Sequence, residues 1–298
     1  MDREVDWGAL RGVTAFALAM RDRDYIYDFC HYVHDHGYTW LRVGAQTDGW
    51  GDFGDSKAEY LRVGPPFGTA AWKENLETLL DVTARVPDTW VQLIPTFTHK
   101  QRAERGWKYF IEMCRKVNEV VEAGNYKHVF YSAMNEPIHP LSDWIKDEQI
   151  REILIWLRDN TGYPVGTDHP GVRSAPPSEW WGRFPWVWRD VCDYYAFHPP
   201  RNPSPPTDRW EYTVKKYDKF VLWDETTCYA SRIEIDKYKL EGKGTVVLMG
   251  RGGDEQRQSA ITQEMNKARA SGRRGRWLYH SIWGMECLDL GWLPRYTG

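Results

Sequence analysis

With 298 residues, the chain is long enough to bury a large hydrophobic core without disulfide or metal cross-links. Its 39 basic and 42 acidic residues give a formal net charge of −3 without a long basic run, which argues against nucleic-acid and membrane-surface partners. No apolar stretch reaches the ~18 residues of a membrane span. Five scattered cysteines without CxxC spacing indicate small core residues rather than a disulfide framework or a zinc site.

Eight short apolar segments are predicted to form β-strands. In chain order they are Gly12–Leu18, Thr39–Gly44, Trp90–Phe97, His128–Met134, Tyr163–Thr167, Cys192–Phe197, Phe220–Trp223 and Trp277–Trp283. Most of these segments are almost continuously apolar, which is typical of parallel strands that are covered on both faces.

Amphipathic segments between these strands predict helices. They span about Tyr25–His36, Ala70–Arg85, 107–121, 142–161, Asp208–Tyr217 and Glu255–Ala270, whereas the crossover around Ser178–Phe184 is short and irregular. Strands and helices in this alternation predict an α/β protein, a (β/α)8 barrel formed by residues 1–298 as a single domain. Only about 15 residues follow the last strand, so the last helix is expected to be reduced or missing.

Polar side chains follow most of the predicted strands, at the end of a barrel where catalytic groups lie. These residues are Arg42 and Gln46 after the second strand, His99 after the third, Asn135 and Glu136 after the fourth, Asp168 and His169 after the fifth, His198 after the sixth, Asp224 and Glu225 after the seventh, and Trp283 and Glu286 after the eighth. So many polar groups at one rim predict an active site there.

The segment Asn135-Glu136-Pro137 places an amide and a carboxylate side by side where the fourth strand ends. Proline biases the residue before it towards extended backbone, so Glu136 is expected on a rigid strand end. Glycoside hydrolysis needs two carboxyl groups, and Glu225 after the seventh strand supplies the second. Arg42 is expected to hydrogen-bond Glu225 and lower its pKa. The charge of Glu225 then raises the pKa of Glu136, which separates a nucleophile from an acid.

With these residues in place, the chain resembles the clan A glycoside hydrolases, the cellulase- and mannanase-like retaining (β/α)8 enzymes. Asn135-Glu136-Pro137 resembles their acid/base motif, in which the asparagine contacts the sugar 2-hydroxyl. The segment 220–225 resembles the strand that carries the nucleophile, and Leu41-Arg42-Val43 resembles the strand whose arginine braces it. Trp283 resembles the tryptophan that forms the floor of the −1 subsite.

The chain also departs from that family pattern. Cellulase-like members often carry a tyrosine two residues after the histidine of strand six, but here Pro199-Pro200 follows His198. That tyrosine is therefore absent, or Tyr195 or another residue replaces it. Asp224 precedes Glu225 directly, so either carboxylate is a candidate for the nucleophile.

The sequence thus predicts a retaining, endo-acting glycoside hydrolase that cleaves O-glycosidic bonds of a poly- or oligosaccharide. The expected catalytic residues are Glu136 and Glu225, and the expected substrate-binding residues are Arg42, Asn135, His198, Trp283, Tyr195 and His99. We expect a monomer that needs no metal or cofactor and whose partner is its carbohydrate substrate. The charged N-terminus lacks the apolar core of a signal peptide, which leaves a cytoplasmic protein and a processed secreted form both open.

Two other functions fit parts of the same pattern. A metal-dependent sugar isomerase or phosphoesterase would use Glu136, Asp168, His198 and Glu225 as ligands, although no His-x-His follows the first strand. A non-catalytic carbohydrate-binding barrel would use the many aromatic residues alone. Among these, the tryptophans of 180–188 lie between predicted elements and are candidates for sugar stacking or for core packing.

Overall fold

The structure of the chain is a computed structural model. It describes residues 4–5, 7, 10–16, 18–45, 65–96, 106–135, 137, 145–170, 186–198, 219–229 and 276–281. Within these ranges only the backbone is described at residues 20, 168–170, 186–187, 197–198, 220–221, 223–229 and 276–281.

The strands of the described residues form one parallel sheet. They are β1 Gly12–Thr14, β2 Trp40–Gly44, β3 Trp90–Ile94, β4 Val129–Ser132, β5 Val165–Gly166, β6 Asp168–Pro170, β7 Tyr194–His198, β8 Phe220–Tyr229 and β9 Arg276–Ser281. Their order in the sheet is β5-β4-β3-β2-β1-β9-β8-β7-β6. Because a single residue, Thr167, separates β5 from β6, the two ends of this order are one stretch of chain. The sheet therefore closes into the predicted eight-stranded barrel.

Helices cover the outside of the barrel. They are α1 Arg23–Asp35, α2 Ala70–Arg85, α3 Trp107–Ala123, α4 Asp147–Thr161 and the short α5 Trp186–Arg189, with a 3-10 turn at Leu18–Met20. The first strand was predicted to extend to Leu18, but β1 ends at Thr14 and Leu18 begins this turn. The predicted strand was therefore too long at its carboxyl-terminal end. The helices predicted at 208–217 and 255–270 and the segment after β9 lie outside the described residues. None of the described helices is long and apolar enough to cross a membrane.

The first two helices begin where the sequence places a capping side chain. The Asp22 carboxylate accepts a hydrogen bond from the Tyr25 amide at 2.8 Å, at the start of α1. The Thr69 hydroxyl accepts one from the Trp72 amide at 3.3 Å, at the start of α2. These bonds satisfy amides that have no partner within the helix, so each start is fixed locally by the sequence.

Residues of the strands alternate between two apolar clusters. Leu41, Val43, Val91 and Leu93 belong to the large cluster between the sheet and the helices. The barrel interior holds a second cluster, which we call the aromatic floor: Val5, Leu10, Trp40, Trp90, Phe130, Tyr194, Ala196 and Leu222, with Trp7 packed against it. The floor residues lie within the first three residues of β2, β3, β4, β7 and β8 or before β1. The floor therefore closes the amino-terminal end of the barrel and leaves the carboxyl-terminal end for a site.

Candidate active site

A layer of buried polar side chains lies directly above the aromatic floor. Each of the floor residues Trp40, Trp90 and Phe130 is followed, two residues later on the same strand, by a polar residue: Arg42, Gln92 and Ser132, respectively. All three are fully buried, as is Thr14, the partner of Arg42 in the ladder between β1 and β2. Because side chains two apart on a strand share a face, these residues also point into the barrel interior. We call Thr14, Arg42, Gln92, Ser132 and Asn135 the polar layer.

Arg42 and Asn135 are joined by a short hydrogen bond at the centre of this layer. Nη2 of Arg42 donates to Oδ1 of Asn135 at 2.6 Å, and Asn135 is only 6% exposed. The guanidinium also lies over the ring of Phe16, with its central carbon 4.5 Å from the ring centroid. A buried arginine keeps its charge and needs such partners in place of water. The structure thus brings together two predicted site residues from β2 and from the end of β4.

The chain after β4 is tied to the strands on both of its sides. The amide of Asn135 donates to the carbonyl of Thr96 at 3.2 Å, and the hydroxyl of Thr96 donates to the carbonyl of Ala133 at 2.9 Å. On the other side, the hydroxyl of Thr167 donates to the carbonyl of Met134 at 3.2 Å. Both threonines are fully buried. The backbone that leads to residue 136 is therefore held from two directions.

Gln92 is a residue of the site region that the sequence analysis missed. Its Nε2 donates to the hydroxyl of Tyr194 at 3.2 Å, and this hydroxyl donates to the carbonyl of Tyr131 at 2.8 Å. A signal was present, because Gln92 is a polar residue in the middle of the apolar run Trp90–Ile94. Its contact with Tyr194 joins residues 102 positions apart, which no local pattern reveals.

Several predicted site residues lie in parts of the chain that the structure does not describe. Glu136, His99 and Trp283 are outside the described residues. His198 and Glu225 lie in β7 and β8, where the backbone alone is described. The roles assigned to these five residues therefore stay predictions.

Strand β8 is longer than predicted and includes both carboxylate candidates for the nucleophile. Its pairing with β9 is irregular between Trp223 and Thr227: four steps along β8 accompany two steps along β9, from Trp277 to Tyr279. Such a bulge interrupts the alternation of side chains along a strand. Alternation from the buried Leu222 therefore does not extend to residues 224 and 225, and both carboxylates stay candidates.

No family model matches the sequence, and no curated protein matches it. Solved structures do match. The barrel has the fold of family 5 glycoside hydrolases. An endo-1,4-β-D-mannanase from Thermotoga petrophila is 13% identical with a TM-score of 0.57, over 91% of this chain and 88% of that one. A family 5 mannosidase from Rhizomucor miehei is 13% identical with a TM-score of 0.58, over 91% and 81%.

A cellulase matches as well, with 15% identity and a TM-score of 0.54, over 91% of this chain and 74% of that one. These identities are low, so the matches establish the fold and leave the chemistry to be argued from this chain's own residues. The predicted (β/α)8 barrel and its resemblance to clan A enzymes are confirmed at that level.

The placement of Tyr195 contradicts its predicted contact with substrate. Tyr195 is fully buried in the cluster between the sheet and the helices, and its hydroxyl donates to the carbonyl of Arg189 at 3.4 Å. Its neighbours Tyr194 and Ala196 instead belong to the floor cluster inside the barrel. The alternation of side chains along β7 gives the physical reason, since adjacent residues face opposite sides of a sheet.

Trp188, one of the tryptophans considered for sugar stacking, is a core residue. It is fully buried, and its Nε1 donates to the carbonyl of Asp147 at the start of α4 at 3.0 Å. An ion pair between Arg151 and Asp190 joins the same two regions at the surface. Trp188 therefore anchors α5 to α4.

The described cysteines behave as predicted for core residues. Cys30, Cys114 and Cys192 are buried and form no disulfide. Burial raises the pKa of Cys30 to about 12 and raises those of Cys114 and Cys192 well above the ordinary thiol value. Within the described residues, no group of three or more His, Cys, Asp or Glu side chains is placed to hold a metal ion.

Proposed function

We propose that the protein is a retaining, endo-acting glycoside hydrolase that cleaves O-glycosidic bonds of a poly- or oligosaccharide. The observation that carries this proposal is the buried 2.6 Å hydrogen bond from Arg42 to Asn135, the residue directly before Glu136. It links the carboxyl-terminal ends of β2 and β4, where a barrel of this kind holds its chemistry. The mannanase, mannosidase and cellulase among the structural neighbours support the same reaction class.

In this proposal, two glutamates divide the reaction. Glu136, protonated, donates its proton to the glycosidic oxygen while the carboxylate of Glu225 attacks the anomeric carbon, so that the C–O bond breaks and a glycosyl ester forms. Glu136, now ionised, then removes a proton from water, and this water attacks the same carbon and releases Glu225. Two inversions give net retention. Asn135 orients the sugar next to the cleaved bond.

The charge of Arg42 is the reason to prefer this reaction over metal catalysis. Its guanidinium is fully buried, and its positive charge attracts a carboxylate in the same site. The same charge repels a divalent cation that carboxylates of this rim would otherwise bind. A barrel that only binds carbohydrate has no comparable need for the buried positive charge of Arg42 in contact with Asn135, the residue before Glu136.

The remaining predicted groups complete the proposed site. His198, His99 and Trp283 follow three different barrel strands in the sequence and are proposed to contact the substrate. Residues 1–298 are proposed to act as one catalytic domain, as a monomer and without a cofactor.

The first experiment is a screen of aryl glycosides and polysaccharides with the purified protein, in which NMR follows the anomer released first. Hydrolysis with retention that is unaffected by EDTA is expected. Inversion, or loss of activity with EDTA, would contradict the proposed mechanism. Binding of sugar without hydrolysis of any glycoside would instead favour the non-catalytic barrel.

The two glutamates are then distinguished by azide. We expect Glu225→Ala to lose hydrolysis and to form the inverted glycosyl azide from an activated substrate. Glu136→Ala is expected to give the azide of retained configuration, because its nucleophile is intact. Asp224→Ala is the matched control, since it removes the adjacent carboxylate. If azide instead restores turnover in Asp224→Ala, Asp224 is the nucleophile and Glu225 is not. Full activity of Glu225→Ala would also exclude Glu225 as the nucleophile.

A further inference from the structure

The hydroxyl of Tyr194 connects three strands inside the barrel. It accepts a hydrogen bond from Nε2 of Gln92 on β3 at 3.2 Å and donates one to the carbonyl of Tyr131 on β4 at 2.8 Å. Tyr194 itself belongs to β7, on the far side of β5 and β6 in the closed sheet. The side chains of Tyr194 and Gln92 are fully buried.

The backbone of β5 is shaped to admit this side chain. A Cβ atom at Gly166 would lie 2.6 Å from the ring of Tyr194, closer than unbonded carbon atoms approach. Gly166 also accepts a hydrogen bond through its carbonyl from the amide of Ala133 at 2.7 Å, so β5 lies against both Tyr194 and β4. The tyrosine thus crosses the barrel over a strand that leaves room for its ring.

Gln92 connects this contact to the site. It is the direct partner of Arg42 in the ladder between β2 and β3, and both side chains point into the barrel interior. Its Oε1 is buried and accepts no hydrogen bond from any described residue. A buried carbonyl oxygen without a donor is costly, and the residue that carries it is the ladder partner of Arg42.

We infer that Tyr194 and Gln92 are positioning residues: together they hold β3, β4 and β7 in register beneath the bond between Arg42 and Asn135. The inference rests on the proposed function. Tyr194 fixes the carbonyl of residue 131, four positions before Asn135, and Gln92 fixes the position beside Arg42. Productive geometry tolerates displacements of only about 0.5 Å, and a shift of about 1 Å costs up to ~100-fold in rate.

A pair of tyrosine variants separates positioning from stability. Tyr194→Phe removes the hydroxyl inside the barrel. Tyr131→Phe, the control, removes a buried hydroxyl from the opposite face of the sheet, where it donates to Oδ1 of Asn118 at 3.0 Å. Tyr194→Phe removes two buried hydrogen bonds and Tyr131→Phe removes one, so Tm is expected to fall in both variants, and further in Tyr194→Phe.

Only Tyr194→Phe is expected to lower kcat, by roughly 10- to 100-fold, while KM changes by less than about twofold. In Tyr131→Phe, kcat per folded molecule stays that of the wild type. If Tyr194→Phe retains wild-type kcat per folded molecule, or both variants lose kcat equally, the inference is overturned.

A second variant keeps the test valid if Tyr194→Phe fails to fold. Gln92→Met has nearly the same size but cannot donate a hydrogen bond to the hydroxyl of Tyr194, and it is expected to lower kcat to a similar extent. In the double variant, the loss of kcat should be no greater than in the more affected single variant, because both changes break one connection. Multiplied losses would show that the two residues act separately and would contradict the inference.

The outcome also separates this inference from the proposed function. A wild-type protein that hydrolyses glycosides, loses activity in Glu225→Ala and keeps it in Tyr194→Phe would overturn the positioning role alone. A wild-type protein without glycosidase activity would overturn both.

Discussion

The barrel interior contains two regions that lie only two residues apart along the same strands. Trp40 and Trp90 belong to the aromatic floor, while Arg42 and Gln92 belong to the polar layer above it. All of these side chains are nearly or fully buried, so exposure does not distinguish them. What differs is chemistry, because apolar burial is favourable whereas each polar group needs a partner in place of water. Buried polarity, rather than accessibility, therefore distinguishes the end of the barrel at which the active site is proposed.

Aromatic contacts give the floor its stability. The ring centroids of Trp7, Phe130 and Tyr194 lie 5.2 to 5.5 Å from one another. Such edge and tilted contacts add to the area that each ring buries. The polar layer contributes little of this kind and is held instead by the hydrogen bonds around Asn135. Substitutions in the polar layer are therefore expected to change mainly the kinetic constants, and substitutions of apolar floor residues mainly the stability.

The largest effect is expected in the polar layer. Arg42→Met replaces the guanidinium by an apolar group of similar length, and kcat/KM should fall about 10²- to 10³-fold, or about 3–4 kcal/mol. Stability should fall by about 1–3 kcal/mol, because Oδ1 of Asn135 is left buried without its donor. Kinetics and thermal unfolding of the same preparation measure both.

The matched control for this variant is Arg115→Met. Arg115 pairs with Glu112 and Glu119 on the exposed face of α3, where ion pairs contribute little. Wild-type kinetics are expected. If Arg42→Met is as active as Arg115→Met, the polar layer has no catalytic role and the comparison fails.

The next effect is expected in the floor. Leu10 is fully buried beneath β1, and Leu10→Ala should lower the free energy of unfolding by about 3 kcal/mol, because the lost contacts leave a cavity. Denaturant unfolding measures this change, and kcat per folded molecule should remain within about twofold of wild type. A large loss of kcat in Leu10→Ala with unchanged stability would mean that the apolar packing of the floor, and not only the hydroxyl of Tyr194, shapes the site.

The smallest effect concerns the thiols behind the strands. Burial raises the pKa of Cys30 to about 12 and those of Cys114 and Cys192 well above the ordinary value, so these thiols stay protonated at pH 8 and unreactive. With five cysteines in the chain, at most two should react rapidly with a disulfide reagent in the native state, and all five after denaturation. Rapid reaction of three or more would show that the apolar packing around the barrel opens readily.

Much of this architecture follows from local sequence patterns. Apolar runs and helical periodicity predicted the strands and the first four helices, because both depend on neighbouring residues. Asn135 was predicted at the rim for the same reason, since it follows an apolar run, whereas Arg42 was predicted after the second strand but lies in the middle of β2. The prediction that Tyr195 contacts substrate was wrong, because the side of the sheet that a residue faces depends on the register of its strand, and the sequence does not reveal that register.

The sequence by itself determined the alternation of elements, the capped helix starts and the polar residues at strand ends. Only the tertiary structure decided which of them meet: Arg42 and Asn135 are 93 positions apart, and Gln92 and Tyr194 are 102 apart. The physical reason is that barrel closure brings distant strands within hydrogen-bond distance, and closure depends on the register of every strand at once. The periodicity of one segment does not reveal which residues of other strands its side chains will contact.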